Sequence, residues 1–152
     1  MTIKVERLGY TGPLGFPNFL RVEMDFTQNV VLPAKEMEYK NAWGVRTMVK
    51  IMDIKEICAE KIRAMSDRAR YRDFYDLFLV LRDFKLDIKA IIGLIKQKEI
   101  RRPITKASIL ANWETAKKEK EKEVARIYYS KAVSDSDIEK MIDSFGINEI
   151  KK

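Results

Sequence analysis

The sequence predicts an α+β fold: a small, mostly antiparallel N-terminal sheet packed with about five helices. Strand-like patterns are confined to residues 1–52, whereas residues 53–152 carry the three-and-four spacing of apolar residues that is typical of helices. Strands and helices segregated along a chain in this way favour an α+β layout over an alternating α/β one. We therefore interpret 1–52 as the strand-rich part and 53–152 as the helical part of a single domain.

A β-hairpin is predicted near the N-terminus. Residues 3–8 have the composition of a short strand, and residues 20–26 alternate between apolar and polar side chains. The segment 10–18 between them contains two glycines and two prolines, which predicts a loop. The apolar side chains of the second strand share one face: Leu20, Val22, Met24 and Phe26.

Two further strands are predicted on weaker patterns. They lie at 30–32 and 45–51, around a stretch at 35–44 that we expect to be irregular. A sheet whose first strand begins at residue 3 has an unpaired edge, and such edges pair readily with other chains. The sequence therefore predicts a homodimer or a bound partner at the exposed sheet edge.

Capping residues and apolar periodicity indicate the helices. Asp53 followed by Glu56, and Ser136 followed by Glu139, have the spacing of a capping box, which begins a helix. The alternating charges of 117–123 are most simply a solvated helix face. The predicted helices occupy 54–68, 71–84, a segment capped by Asp87, a long segment from Thr105 through 128, and a segment that Gly146 ends.

The composition excludes several classes of site. The chain has no histidine, so His-based catalysis, Ser-His triads and His-ligated zinc are excluded, and any metal is expected to be a hard cation on carboxylates. The single cysteine, Cys58, cannot form an internal disulfide and lies on an apolar stripe, which favours a buried thiol. No apolar run is long enough for a membrane span or a signal peptide, so we expect a cytoplasmic protein with no membrane partner.

A lysine interrupts the apolar stripe of the first predicted helix. At helical spacing Lys61 falls on the face that this stripe forms. A charged ammonium on a core-facing surface is costly unless a carboxylate, a phosphate or a water-lined cleft accepts it. Lys61 is therefore expected to have such a partner. The stripe itself consists of Ile54, Ile57, Cys58, Ile62 and Met65.

Two sequence blocks carry a family resemblance. The segment 56–64 is E-I-C-A-E-K-I-R-A, and 70–77, after a short basic turn, is R-Y-R-D-F-Y-D-L. With the strand-rich lead-in, they resemble the nucleotidyltransferase family of the AbiEii/AbiGii abortive-infection toxins, which carry a similar A-E-K-x-R-A followed by R-D-x-x-D-L. The resemblance covers 21–84 well and the helical tail only in general character. It implies a partial DNA polymerase β-type nucleotidyltransferase fold, equivalent to the C-terminal two-thirds of such a protein.

The resemblance also implies roles for individual residues. Lys61 matches the family's lysine and is expected to contact nucleotide phosphate at the catalytic site. Asp73 and Asp76 match the two aspartates of the second block, and one of them is similar to the family's C-terminal acidic motif; we favour Asp76. The alternative is structural, because Arg72 can pair with Asp76 one helical turn away.

Two elements of the family are missing from this sequence. It contains no Gly-Gly pair to cradle phosphates, and its one acid-x-acid triplet on a convincing strand, 23–25, does not follow a glycine-rich turn. Mg²⁺ and an NTP are implied by the resemblance alone, and Asp25 is the candidate metal ligand, with a solvent-facing strand edge as the alternative. Three explanations are open: a truncated reading frame, a split enzyme whose N-terminal part is another polypeptide, or a relative that binds without catalysing.

An excess of basic residues favours a polyanionic partner. The chain has 30 Lys and Arg against 23 Asp and Glu, and the segment 85–130 has 12 against 6. Some members of the family transfer nucleotides onto RNA such as tRNA, so the resemblance implies an RNA acceptor. The candidate RNA contacts beside Lys61 are Arg63, Arg68, Arg70 and Arg72.

Two hypotheses follow from these observations. In the first, the chain is part of a toxin-like nucleotidyltransferase that uses an NTP and magnesium and is inactive alone. In the second, it is a non-catalytic basic module that binds RNA or an antitoxin-like protein partner. In this second case Lys61 is only the partner of a buried carboxylate.

Overall fold

The computed structural model describes residues 3–25, 29–98, 100, 102–124 and 132–151. It confirms an α+β fold with antiparallel strands and five helices. The strands are β1 (Ile3–Thr11), β2 (Pro17–Asp25), β3 (Lys35–Lys40), β4 (Arg46–Ile51), β5 (Ile104–Thr105) and β6 (Glu149–Ile150). The helices are α1 (Ile54–Asp67), α2 (Tyr71–Phe84), α3 (Ile88–Ile95), α4 (Lys106–Val124) and α5 (Asp135–Ser144).

The strands form three separate two-stranded antiparallel sheets. The β1–β2 hairpin confirms the first sequence prediction, and Gly15 supplies the positive φ of 75° that its turn requires. Residues 30–32 are not a strand, and β3 lies inside the stretch that was expected to be irregular. The prediction was wrong there because every side chain of β3 is exposed, so no covered apolar face marks it in the sequence.

The helix predictions are largely confirmed. The bounds of α2 agree with the prediction, α1 ends one residue earlier, and the extension of α4 to residue 128 lies outside the described residues. The start of α5 differs, because Ser134 and not Ser136 is its N-cap and accepts a hydrogen bond from the Asp137 amide at 3.1 Å. Gly146 follows the helix with a φ of 61°, a left-handed conformation that favours glycine.

The buried apolar side chains lie mostly on the helices and the short β5 and β6 strands, and Val31 and Leu32 pack against them. In the described part of the chain, no side chain before Asp53 is buried. The core therefore belongs to the helical part of the chain. Its largest fully buried side chains are Trp113, Tyr71, Phe74, Ile62, Met65, Leu77, Ile91, Ile95, Ile104, Ile109, Ile138 and Ile142.

Polar contacts fix α4 against the C-terminal end of α1. Asn112 Nδ2 donates to the carbonyls of Met65 at 2.9 Å and Ser66 at 2.8 Å, and the Ser66 and Ser108 hydroxyls lie 2.7 Å apart. These carbonyls belong to the last turn of a helix, where the helix itself offers them no donor. The contact therefore sets the position of the turn between α1 and α2.

None of the helices, over their described lengths, has the length and apolar character that a membrane span requires.

Candidate functional site

Lys61 lies on α1 and pairs with both aspartates of the second sequence block, which lie on α2. Its Nζ is 2.6 Å from Asp76 Oδ2 and 3.4 Å from Asp73 Oδ1. The Lys61 side chain is 25% exposed, that of Asp73 is 3% exposed and that of Asp76 is 45% exposed. Lys61 thus has the carboxylate partners that its position on the helix face requires.

Asp73 joins the two helices through a second cation. Arg68 Nε donates to Asp73 Oδ2 at 2.9 Å, and Arg68 Nη2 lies 3.4 Å from Asp73 Oδ1. Asp73 is in the first turn of α2, whereas Arg68 caps the C-terminal end of α1. The buried carboxylate therefore holds Lys61 and Arg68 close together. The expected pair between Arg72 and Asp76 is not among the ion pairs of the described residues, because Asp76 turns toward α1 and Lys61.

A cleft of about 340 Å³ opens beside this group. Lys61, Arg68 and Asp73 contribute its charged side, and Glu60 and Arg63 extend it along α1. The rest of the wall is formed by the side chains of Met52, Ile57 and Ala64. Ile57, expected to face the core, is instead 37% exposed. The cleft thus combines cationic groups and two carboxylates with an apolar wall.

The four arginines proposed as RNA contacts have different surroundings. Arg63 is largely covered and pairs with Glu60 at 2.8 Å and Asp67 at 3.7 Å, and Arg68 is held by Asp73. Arg70 and Arg72 are exposed at the start of α2. Since a paired guanidinium has part of its hydrogen-bonding capacity occupied, Arg70 and Arg72 are the better placed of the four to meet a polyanion.

Next to this site lies a buried ion pair that the sequence did not predict. Glu56, which was expected to cap α1, is fully buried and forms an ion pair with Lys98, whose side chain is 1% exposed. Asp53 alone caps the helix, by accepting from the Lys55 amide at 2.8 Å. The spacing of a capping box gave no indication that Glu56 turns inward. The only sequence feature that could have indicated Lys98 is its position shortly after the apolar α3, and this is a weak signal.

Glu56 and Lys98 connect the strand-rich part of the chain to the helices. The two carboxylate oxygens of Glu56 accept hydrogen bonds from the amides of Val31 and Leu32, each at 3.1 Å, and Lys98 Nζ donates to the Asn29 carbonyl at 3.0 Å. Lys98 Nζ also lies 2.8 Å from Glu60 Oε1, at the edge of the cleft. This network therefore anchors residues 29–32 on α1, one turn from Lys61.

The Glu56 carboxylate is expected to make the protein acid-sensitive. Burial by itself raises the pKa of Glu56, but the hydrogen bonds from Lys98, Val31 and Leu32 outweigh it, so the pKa lies below its usual value. The unfolded chain, with a glutamate pKa of about 4.3, then takes up the proton first as the pH falls. The stabilisation is complete above that value and is lost as the pH falls through the folded-state pKa.

Urea unfolding between about pH 7 and pH 3 tests this expectation. The urea midpoint of the wild-type chain should fall more steeply below about pH 4.3 than that of Glu56→Gln, which has no titrating group at this position. Parallel curves for the two proteins would show that Glu56 does not contribute to the acid transition.

The carboxylates of the described residues do not form a metal site. No group of three or more Asp, Glu or Cys side chains in those parts of the chain is arranged to hold a metal ion. Glu23 pairs with Arg21 at 2.6 Å on an exposed hairpin, and the side chain of Asp25 lies outside the described residues. Asp73 and Asp76 already face cations. A cluster of carboxylates for the Mg²⁺ that the resemblance implies is therefore absent from the described residues, whereas Asp25 stays a prediction.

Comparison with known proteins assigns the chain to a family. The model of the family described as nucleotidyl transferase AbiEii toxin, type IV TA system, matches residues 6–146. Neither the curated proteins nor the solved structures gave a significant match. The matched range includes the cleft, Lys61, both aspartates and all five helices. The chain therefore belongs to the AbiEii toxin family of nucleotidyltransferases from type IV toxin–antitoxin systems.

Proposed function

We propose that this chain forms the nucleotide-binding, C-terminal part of a toxin-like nucleotidyltransferase that, when complete, transfers a nucleotide from an NTP to an RNA such as tRNA. One observation carries the proposal: Lys61 and Arg68 stand together at a cleft that also has an apolar wall, formed by Met52, Ile57 and Ala64. A nucleotide offers the matching chemistry, since its phosphates are anionic and its base has apolar faces. Such a protein is expected to act in the cytoplasm, where NTPs and tRNA are found.

Lys61 is the proposed phosphate contact. Its ammonium has three donors, and its closest partner, Asp76, is 45% exposed to water. A phosphate oxygen that replaces Asp76 leaves the lysine charge paired throughout, so the exchange avoids the cost of a bare buried ammonium. We assign Asp76 the role of the active-site aspartate that exchanges places with the nucleotide.

Asp73 is the proposed positioning residue. It is almost fully buried and its two oxygens meet Lys61 and Arg68, so it holds both cations at the cleft. The planar guanidinium of Arg68 keeps further N–H donors for a phosphate while Nε and Nη2 face Asp73. The chemistry proposed for this chain is therefore to bind and orient the nucleotide. Since the sequence lacks the Gly-Gly element and the Asp-x-Asp that follows it in the family, we expect no transfer by the chain alone.

The pairing of Lys61 also favours a second candidate function. An ammonium 2.6 Å from one carboxylate and next to a second, buried one is already satisfied and needs no ligand. In this case the chain is a non-catalytic basic module that binds RNA through exposed groups such as Arg70 and Arg72. An antitoxin-like protein is the alternative partner, because the family belongs to toxin–antitoxin systems.

The nucleotide affinity of the Lys61→Ala variant tests the first proposal. Each NTP is titrated into the full chain in a calorimeter, and the variant is expected to bind about 10- to 100-fold more weakly, the usual value of a charge-assisted hydrogen bond. Lys118→Ala is the matched control, because Lys118 is exposed on α4 and lies outside the cleft. Equal affinities of Lys61→Ala and wild type would contradict a phosphate contact.

Thermal unfolding of the same variant separates the two candidates. If Lys61 is only structural, its removal leaves Asp73 without its lysine, and the melting temperature should fall while NTP binding is absent from the wild type as well. Salt-sensitive binding of tRNA without NTP binding would then support the basic module. An unchanged melting temperature together with lost NTP affinity supports the nucleotide contact.

A further inference from the structure

The segment before α1 exposes most of its large apolar side chains. Fourteen of the sixteen exposed large apolar residues in the described parts of the chain lie before Asp53, and none of the described side chains there is buried. Two-stranded hairpins are marginally stable in water unless an apolar face is covered. The distribution therefore points to an interaction surface on the hairpins.

The β1–β2 hairpin carries more of its apolar side chains on one face, which we name the hairpin face, than on the other, where Val5 and Phe19 lie. Residues that are directly opposite in an antiparallel pair point to the same side of the sheet. The register pairs Leu8 with Leu20 and Tyr10 with Asn18, whereas Gly9 and Phe19 form the neighbouring pair on the other side. The apolar residues of the hairpin face are Leu8, Tyr10, Leu20, Val22 and Met24.

We propose that the hairpin face is covered by the same face of a second copy of this chain. Two such faces stack as layers of a sandwich, about 10 Å apart, and bury the apolar side chains of both copies. The inference concerns the hairpin alone and does not depend on nucleotide binding at the cleft. It differs from strand pairing at the sheet edge, because the contact is made by side chains.

Charge makes the β1–β2 hairpin, rather than the β3–β4 hairpin, the one that can meet a second copy. Although the chain carries a net charge of +7, the hairpin is neutral, because three basic residues are balanced by three acidic ones. The hairpin face itself carries one ion pair, Lys4 with Glu6 at 2.8 Å, so it is neutral, attracts neither a polyanion nor a strongly acidic protein, and meets its own copy without repulsion. The β3–β4 hairpin has four basic and two acidic residues, so it would repel its own copy. The six charged residues of the neutral hairpin are Lys4, Arg7, Arg21, Glu6, Glu23 and Asp25.

The size of the face predicts a weak dimer. Two strands of nine residues span about 30 Å by about 10 Å of backbone, so the buried area is roughly 300–450 Å² per copy. Stable complexes bury about 800 Å² per partner, so we expect a dissociation constant on the order of 10–100 µM. Dimerisation should therefore depend on concentration in the micromolar range.

Analytical ultracentrifugation of the full chain, from about 2 to 200 µM, tests the proposal with a matched pair of variants. Leu20 and Phe19 are neighbours with 56% and 65% exposure, on opposite faces of the hairpin. Leu20→Glu places a like charge in both copies and should weaken the dimer at least about 10-fold, whereas Phe19→Glu should leave the dissociation constant within about 2-fold. A wild type that stays monomeric, or equal effects of the two variants, overturns the proposal.

Cross-linking provides a second readout that does not rely on loss of association. Cys58 is fully buried, and burial raises the pKa of its thiol to about 11, so it should not react with a maleimide. In Leu20→Cys the new thiol lies near the centre of the hairpin face, and a short bis-maleimide should join two copies. Phe19→Cys should not cross-link. Cross-linking of both variants, or of Phe19→Cys alone, contradicts the assigned face.

Discussion

Replacement of Glu56 by glutamine is expected to lower the free energy of unfolding by about 3 kcal/mol or more, as the loss of a buried charge partner does. The variant leaves the Lys98 ammonium buried without its main carboxylate and weakens the acceptors of two backbone amides, Val31 and Leu32. Glu60 remains near Lys98 at 2.8 Å, which keeps the expected loss toward the lower end of the usual range.

Urea unfolding at pH 7 measures this change. Glu121→Gln is the control, because it is the same substitution at an exposed position of α4 and should change the free energy of unfolding by less than about 0.5 kcal/mol. In the double variant Glu56→Gln/Lys98→Met the buried lysine charge is also absent, so part of the lost free energy of unfolding should be recovered. A loss below about 1 kcal/mol in the single variant would show that the pair is not important for stability.

Replacement of Trp113 by alanine is expected to cost about 3–5 kcal/mol, as for other large buried aromatic residues. Trp113 is fully buried, and its ring centroid lies 5.1 Å from that of Phe74 and 6.0 Å from that of Tyr71. Its indole Nε1 donates to Glu139 Oε1 at 3.1 Å, so the variant loses a hydrogen bond in addition to packing between α2, α4 and α5.

The second tryptophan of the chain provides the control. Trp43 is 87% exposed between β3 and β4, so Trp43→Ala should leave the free energy of unfolding nearly unchanged. Circular dichroism follows unfolding in both variants without depending on the tryptophan signal. Equal losses for the two variants would show that the helices do not pack around Trp113 as described.

The sequence predicted the helices well because their evidence is local. Apolar residues at three-and-four spacing define the face that a helix buries, and capping residues such as Asp87 mark its start. The start of α5 was misplaced because Ser134 and Ser136 are both suitable caps, and the local pattern does not distinguish them. The exposed β3 was missed since its side chains meet no core that would impose alternation.

The candidate site was predictable only in part. Lys61 could be singled out because a charge on an apolar helix face needs a partner, and family resemblance pointed to Asp73 and Asp76. That Lys61 would meet both of them was not predictable, since the crossing of α1 and α2 decides it. Local spacing suggested Arg72 as the partner of Asp76, but the neighbouring helix offers a closer cation.

By itself the sequence determined the α+β class, the order and bounds of most helices, the family blocks, and the need of Lys61 for a carboxylate or phosphate. The tertiary structure decided that Glu56, which was predicted to cap a helix, is the partner of Lys98, 42 residues away. It also decided that the hairpins stay uncovered while the helices enclose the core. Periodicity and capping act within a few residues, whereas ion pairs and burial depend on how distant segments come together.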